Sequence, residues 1–240
     1  MSDPSLVAPR CAALVGPYQS GKSTLLESIL FVGGGIERRG TQRDSNLVAD
    51  ASTEARARNM SIEISAASSD YLGDLWHFLD CPGSLEFMQD THAALMAADV
   101  AVVVCEPEVE RAQGMAPLLH LLDSQGIPHM IFINKMDTAS ARVRDILDAL
   151  QSVSGRPLVL REVPIRDGDS VSGYADLVSE RAYTYKPGEA SDLIPLPETD
   201  SARYQEARQT MLESLADFDD ALLEQLLEDI VPSKEEIYQH

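Results

Sequence analysis

The sequence predicts an α/β fold, a mainly parallel sheet with helices on both faces, followed by a smaller α+β insert subdomain. Three observations predict it. Short apolar runs alternate with amphipathic helical patterns up to about residue 153. One strand-to-helix junction reads Gly16-Pro17-Tyr18-Gln19-Ser20-Gly21-Lys22-Ser23, a glycine-rich turn of the kind that opens a helix directly after a strand. The alternation stops at Gly155, beyond which strand-like runs lack a long intervening helix. The expected division is a core over residues 9–153 and an acidic subdomain over residues 154–240.

The elements follow in order. Residues 10–16 read as the first strand, and the helix after Lys22 runs to about Phe31 with Leu25, Leu26, Ile29 and Leu30 on one face. Gly33-Gly34-Gly35 stops it. From Ile36 to about Asn59 there is no periodicity, too long a stretch for a plain connection, so it is read as functional or mobile. Met60 to Ala67 alternates and predicts a strand, Asp70 to Asp74 a turn, and Leu75-Trp76-His77-Phe78-Leu79 a buried strand ending in Asp80. Helices are expected at Glu86–Ala98, Ala112–Gln125 and Ala139–Val153, with strands at Val100–Cys105 and Ile127–Ile133 between them. Pro157–Val163 and Ser172–Tyr185 look like strands. After a Pro/Gly/acid-rich stretch, helices are expected at Arg203–Leu215 and Asp219–Ile230, the second opened by Asp219-Asp220, whose charge suits a helix start.

Composition excludes several function classes. The 240 residues carry a net charge of −20, which excludes a general nucleic-acid binder, and no DNA partner is expected. The charge is uneven: residues 34–58 set five arginines against four carboxylates, whereas Glu198–His240 sets twelve carboxylates against Arg203, Arg208 and Lys234. No apolar run reaches membrane-span length, and Met1–Pro9 lacks a basic stretch followed by an apolar core, so a cytoplasmic monomer without membrane contact is expected. Cys11, Cys81 and Cys105 form no Cys-x-x-Cys pair and the five histidines show no metal-ligand spacing; His77, between Trp76 and Phe78, reads as a core residue.

Three short motifs carry the chemistry. In the glycine-rich turn, backbone N–H groups from Gly16 through Thr24 converge where a polyphosphate would sit, and their partial positive charge suits it. Lys22 supplies a point charge for the β- and γ-phosphates, and the Ser23 hydroxyl is a Mg²⁺ ligand candidate. Asp80-Cys81-Pro82-Gly83 ends a strand; in P-loop NTPases, whose loop pattern Gly16–Ser23 resembles, a carboxylate there holds a water of the Mg²⁺ shell, and the Gly amide, here Gly83, can sense the γ-phosphate. Asn134-Lys135-Met136-Asp137 ends a later strand. Asp137 there can accept both the ring N–H and the exocyclic amine of guanine and reject adenine, Lys135 covers the base, and Asn134 ties the loop to the phosphate turn. Each tetrapeptide alone is a weak signal; all three in order, each after an apolar strand, are strong.

With these motifs in this order the chain resembles the translational GTPases, specifically the G domain of elongation factor G. The resemblance covers nearly the whole chain. Arg58-Asn59-Met60-Ser61-Ile62 sits where that family has R-G-I-T-I, and Val163–Arg166 with Ala175–Val178 resembles the segment that opens its G′ insert. The resemblance implies a P-loop NTPase fold, GTP/GDP and Mg²⁺ as cofactors, with Ser23, Ser61 and Asp80 at the metal, and hydrolysis stimulated by the ribosome. It also implies contact with the ribosomal stalk through the insert. The sequence departs from the family in four places. Ser84 stands where the family keeps the His that positions the attacking water. Ser61 replaces a Thr, and Tyr18-Gln19-Ser20 replaces an acid-containing centre. The chain ends at His240, before the family's Ser-Ala guanine loop and its later domains, so a fragment of a longer protein is expected.

The expected catalytic residues are therefore Lys22, Gly83 and Ser84. Two alternatives stay open. One is a GTP-gated binding module with little or no hydrolysis, because of Ser84. The other is an ATP-using P-loop protein such as a small kinase, which leaves Asn134–Asp137 unexplained.

Overall fold

The computed structural model describes residues 10–49, 52–58, 60–168, 170–186, 189, 191–228 and 230–238, without the side chains of 198–200. Met1–Pro9, Asp50, Asn59 and His240, used above, lie outside the described residues. The chain divides into two compact units, Met1–Lys135 and Met136–His240.

The first unit contains β1 (Arg10–Val15), α1 (Lys22–Val32), α2 (Thr53–Arg58), β2 (Ser65–Tyr71), β3 (Asp74–Asp80), α3 (Met88–Ala97), β4 (Val100–Cys105), α4 (Ala116–Gln125) and β5 (His129–Ile133). The sheet order is β2-β3-β1-β4-β5. β1 runs parallel to β3 and β4, and β4 parallel to β5; only β2 is antiparallel. The expected mainly parallel sheet is thus present. The central strands β1 and β4 are largely buried, as expected where both faces are covered, whereas β2 and β5 at the edges carry exposed residues. Ala12 and Leu14 pack with Leu26 and Leu30 of α1 and with Phe78. Ala13 and Val15 point the other way and are also fully buried. The register pairs Leu14 with Asp80 and Val15 with Val103, which brings the carboxyl ends of β1, β3 and β4 to one edge. In an open parallel sheet, ligands bind outside that edge.

Two expectations in this unit need correction. Met60–Ala67 is not the strand: Met60–Ile64 is irregular and β2 begins at Ser65. The expected turn at Asp70–Asp74 shrinks to Leu72-Gly73, both at positive φ (53° and 90°), a two-residue loop whose twist suits an antiparallel hairpin. The strand Ser65-Ala-Ala-Ser-Ser-Asp-Tyr71 has no β-branched residue, so pairing with β3 rather than local propensity decides its place. The irregular stretch after α1 contains a short helix, α2, that the sequence pattern does not announce.

The second unit contains α5 (Val143–Gln151), β6 (Glu162–Asp167), β7 (Ser170–Asp176), β8 (Arg181–Thr184), β9 (Asp192–Ile194), α6 (Glu198–Ala216), α7 (Asp220–Leu227) and α8 (Lys234–Ile237). Its sheet, β6-β7-β8-β9, is antiparallel throughout. Val163, Ile165, Ala175 and Leu177 pack with Tyr204, Met211 and Leu212 of α6 to form its core. The expected strand at Pro157–Val163 therefore starts later, at Glu162, and the run Ser172–Tyr185 splits into β7 and β8 around a turn. The helix start expected at Asp219-Asp220 is confirmed: the Asp219 carboxylate accepts from the N–H groups of Ala221 and Leu222.

Candidate functional site

The carboxyl end of β1 delivers the chain into the glycine-rich turn, and α1 opens at Lys22 with Gly21 as its cap at φ 94°. A side chain at Gly21 would be strained there and would also run into the amide of Asn134. That close approach lets the Asn134 side-chain amide donate to the Ser20 carbonyl at 2.8 Å. The turn and the Asn134 loop are thereby joined, as the sequence motif leads one to expect.

Lys22 is almost fully buried, at 6% exposure. Its ammonium donates to the carbonyls of Gly16 (3.0 Å) and Pro17 (2.8 Å), curled over the turn. Burial pulls its pKa below the usual lysine range, while the carboxylate of Asp80 pulls it back up. Gly83 closes on the same spot. A Cβ at Gly83 would stand 2.6 Å from Lys22 Nζ, 2.6 Å from the Tyr18 nitrogen and 2.7 Å from the Pro17 carbonyl carbon. Only glycine lets the Asp80–Gly83 segment approach the turn this closely.

Beside Lys22 lies a cluster of hard oxygen donors. The Ser23 hydroxyl donates to Asp80 Oδ2 at 2.6 Å and lies 3.2 Å from the Ser61 hydroxyl. Asp80 is completely buried. Two hydroxyls and a carboxylate suit Mg²⁺, which takes few protein ligands and keeps several waters. Among the described residues no group of three or more His, Cys, Asp or Glu could hold a metal.

A cleft of about 410 Å³ opens beside this cluster, with Asp80 buried behind Ser23. Tyr18, Gln19, Gly21, Lys22, Ser23, Thr24, Ser61, Gly83 and Lys135 all contribute to it. Met60, beside Ser61 in the motif, lines it too, as do Gln42 and Leu47, to which no motif points because they come from the aperiodic stretch. A second cleft of about 420 Å³, lined by Ile29, Val32, Trp76 and Phe78, is apolar and holds none of these groups. Ser84 does something local: its hydroxyl accepts from the Glu86 N–H at 3.4 Å, capping a short 3-10 turn. Asp137 belongs to the second unit, in a 3-10 turn at Met136–Thr138.

The cysteines are all free thiols. Burial pushes Cys81 and Cys105 up to about 12, helped by Asp80 and Glu106 respectively. Such thiols are not nucleophiles at neutral pH. His77 is half-buried, with Nδ1 2.7 Å from the Ser68 hydroxyl.

Comparison with known proteins places the chain in a family. The family model described as elongation factor Tu GTP binding domain matches residues 9–231. An elongation factor G-like protein of Synechocystis sp. is 51% identical over 237 residues, covering 99% of this chain. Elongation factor G 1 of Geobacter sulfurreducens is 30% identical over 95% of this chain. Peptide chain release factor 3 of Lactobacillus delbrueckii subsp. bulgaricus is 31% identical over 76% of it. A solved Thermus thermophilus structure superposes with a TM-score of 0.84 over 94% of this chain and 34% of its own, at 30% identity. The chain spans about a third of the length of these curated relatives (35%, 34% and 36%). On the match over 9–231 the chain belongs to the elongation factor Tu GTP-binding domain family.

Proposed function

We propose that this chain is the guanine-nucleotide-binding domain of an elongation-factor-G-like translation factor, and that it takes GTP and GDP with Mg²⁺. The observation that carries this reading is the meeting of Lys22, Ser23, Ser61 and Gly83 at one cleft, with Asp80 bonded to Ser23 behind its wall. In it, Lys22 leaves the carbonyls of Gly16 and Pro17 to neutralise the β- and γ-phosphates. The N–H groups from Gly16 to Thr24 receive the phosphate oxygens, and the Gly83 amide faces the γ-phosphate. Ser23, Ser61 and Asp80 are the residues that would hold the metal, and a bound Mg²⁺ would supply neutralisation of phosphate charge there. Asn134 and Lys135 shape the base site, and Asp137 selects guanine through its ring N–H and amine.

The same reading covers the rest of the protein. Residues 9–153 form the nucleotide-binding core and 154–240 an acidic insert. The partner is the ribosome, including the stalk through the insert, and the protein acts in the cytoplasm as a monomer away from DNA and membranes. The strongly acidic balance supports the last point. Titration with fluorescent GDP and ADP tests the core claim: selective GDP binding supports it, and equal affinity for both sinks it.

A second reading has its own observation. Ser84 caps a turn and is too short and uncharged to position a water as an imidazole would. On this reading the domain is a GTP-gated binding module with little hydrolysis. Single-turnover hydrolysis with and without ribosomes separates the two: ribosome-stimulated phosphate release at ordinary GTPase rates removes it.

A further inference from the structure

We propose that Glu106 is a positioning residue for guanine recognition, acting by holding the Lys135 side chain against the phosphate turn; this rests on the nucleotide reading above. Glu106 follows directly on Cys105 at the carboxyl end of β4, outside the three motifs. Its side chain is 10% exposed. One carboxylate oxygen pairs with the Lys135 ammonium and the other with the Arg111 guanidinium. Arg111 Nε is itself 2.6 Å from Glu108, so Glu106 is fixed from its far side.

Lys135 is held from three directions. Its ammonium donates to the Gln19 carbonyl at 2.8 Å as well as to Glu106. Its backbone sits at φ +57°, in the left-handed region that a non-glycine residue keeps only where its surroundings enforce it. The preceding amide, Asn134 N–H, donates to the Cys105 carbonyl at 2.8 Å. The residue pair Cys105-Glu106 therefore anchors both the backbone and the side-chain tip of the Asn134-Lys135 loop. With its charge tied off at Glu106 and Gln19, the part of Lys135 left to meet a ligand in the cleft is its methylene stem. A stem already ordered makes a flat apolar support for a purine ring and loses little freedom when the ring arrives. Releasing the tip from Glu106 restores that freedom, which must then be lost on binding.

The test is a double-mutant cycle read by dissociation of N-methylanthraniloyl-GDP from the full chain. Glu106→Gln should speed dissociation roughly three- to tenfold, the scale expected for one long side chain that must be re-ordered. In a Lys135→Met background the same substitution should do nothing further, because its only route to the nucleotide is gone. Glu106→Asp, which keeps the charge with a shorter reach, should recover part of the loss. Equal effects of Glu106→Gln in both backgrounds, or none in either, overturn the proposal, since Glu106 would then act through Arg111 or not at all. A second readout needs no nucleotide. In ¹H–¹⁵N spectra of the free chain the Lys135 ammonium should give a sharp, slowly exchanging resonance that Glu106→Gln removes; a resonance insensitive to Glu106→Gln overturns the proposal. Failure of the unsubstituted chain to bind the labelled GDP, with that ammonium signal intact, overturns the nucleotide reading and with it the role assigned to Glu106. Binding with additive effects overturns the role alone.

Discussion

The Ser23 hydroxyl donates to Asp80 Oδ2 across 2.6 Å, joining the first residues of α1 to the last residue of β3. Asp80 is fully buried, so this contact orients a metal-ligand candidate from behind rather than from solvent. Partners that orient a ligand in this way matter nearly as much as the ligand itself. Asp80→Asn should therefore raise the magnesium concentration needed to retain bound GDP by roughly 10–100-fold. The measurement is GDP dissociation against magnesium concentration, with the melting curve of the nucleotide-free protein as a control for folding. An unchanged magnesium dependence would remove Asp80 from the metal's surroundings.

Gly83→Ala tests the closeness of the cleft walls. The added methyl would meet two backbone atoms, the Tyr18 nitrogen at 2.6 Å and the Pro17 carbonyl carbon at 2.7 Å, as well as Lys22 Nζ. A lysine tip can move; the turn's backbone can do so only by losing its shape. Overpacking of this kind costs on the order of 1–3 kcal/mol. A lowered melting temperature together with loss of GDP binding is expected, and retention of both would show that the two segments separate freely.

The parts of the site legible in the sequence are those in which one short segment does one job. The glycine-rich turn, Asp80–Gly83 and Asn134-Lys135 each follow an apolar strand, and the parallel register carries them to one edge. The insert's α7 was legible through Asp219, because a cap is a local contact. What stayed hidden depends on residues far apart in the chain. Glu106 meets Lys135 across 29 positions, and Glu27 meets Val48 across 21. Neither pair has a periodic or motif signature. β2 stayed hidden for a different reason: its sequence carries little β-propensity, and its partner β3 selects the register.

Glu27 leads to a third prediction. It lies on α1 at 1% exposure, and its two carboxylate oxygens accept from the N–H groups of Gly40 (2.7 Å) and Val48 (3.0 Å). The aperiodic stretch is thus pinned at two points to the helix that carries Ser23, and Arg39 adds a bond to the Ser28 hydroxyl at 2.7 Å. Glu27→Ala leaves two amide donors without their acceptor, a loss of about 1–3 kcal/mol if they stay buried, or release of the loop if they do not. Limited trypsin digestion distinguishes these outcomes. Faster cleavage at Arg38, Arg39 and Arg43, several-fold over the unsubstituted protein, is expected; unchanged cleavage with unchanged stability would show that the clasp holds nothing.

Cys105 gives a prediction in pH. Burial, with help from the neighbouring Glu106, pushes its thiol from an ordinary value near 9 up to about 12. The unfolded chain then releases this proton at lower pH than the folded one. The native state binds more protons inside that window, so stability falls as pH rises. The contribution is fully present below about pH 9 and is lost progressively toward pH 12. Inside the window the slope from this one thiol approaches about 1.4 kcal/mol per pH unit. Lysines and tyrosines titrate in the same range, so the slope must be isolated by comparison with Cys105→Ala. Urea unfolding midpoints measured from pH 8 to 10.5 should fall more steeply for the unsubstituted protein than for the variant. Parallel slopes would mean that the Cys105 thiol titrates alike in the folded and unfolded chain, contrary to its burial at the end of β4.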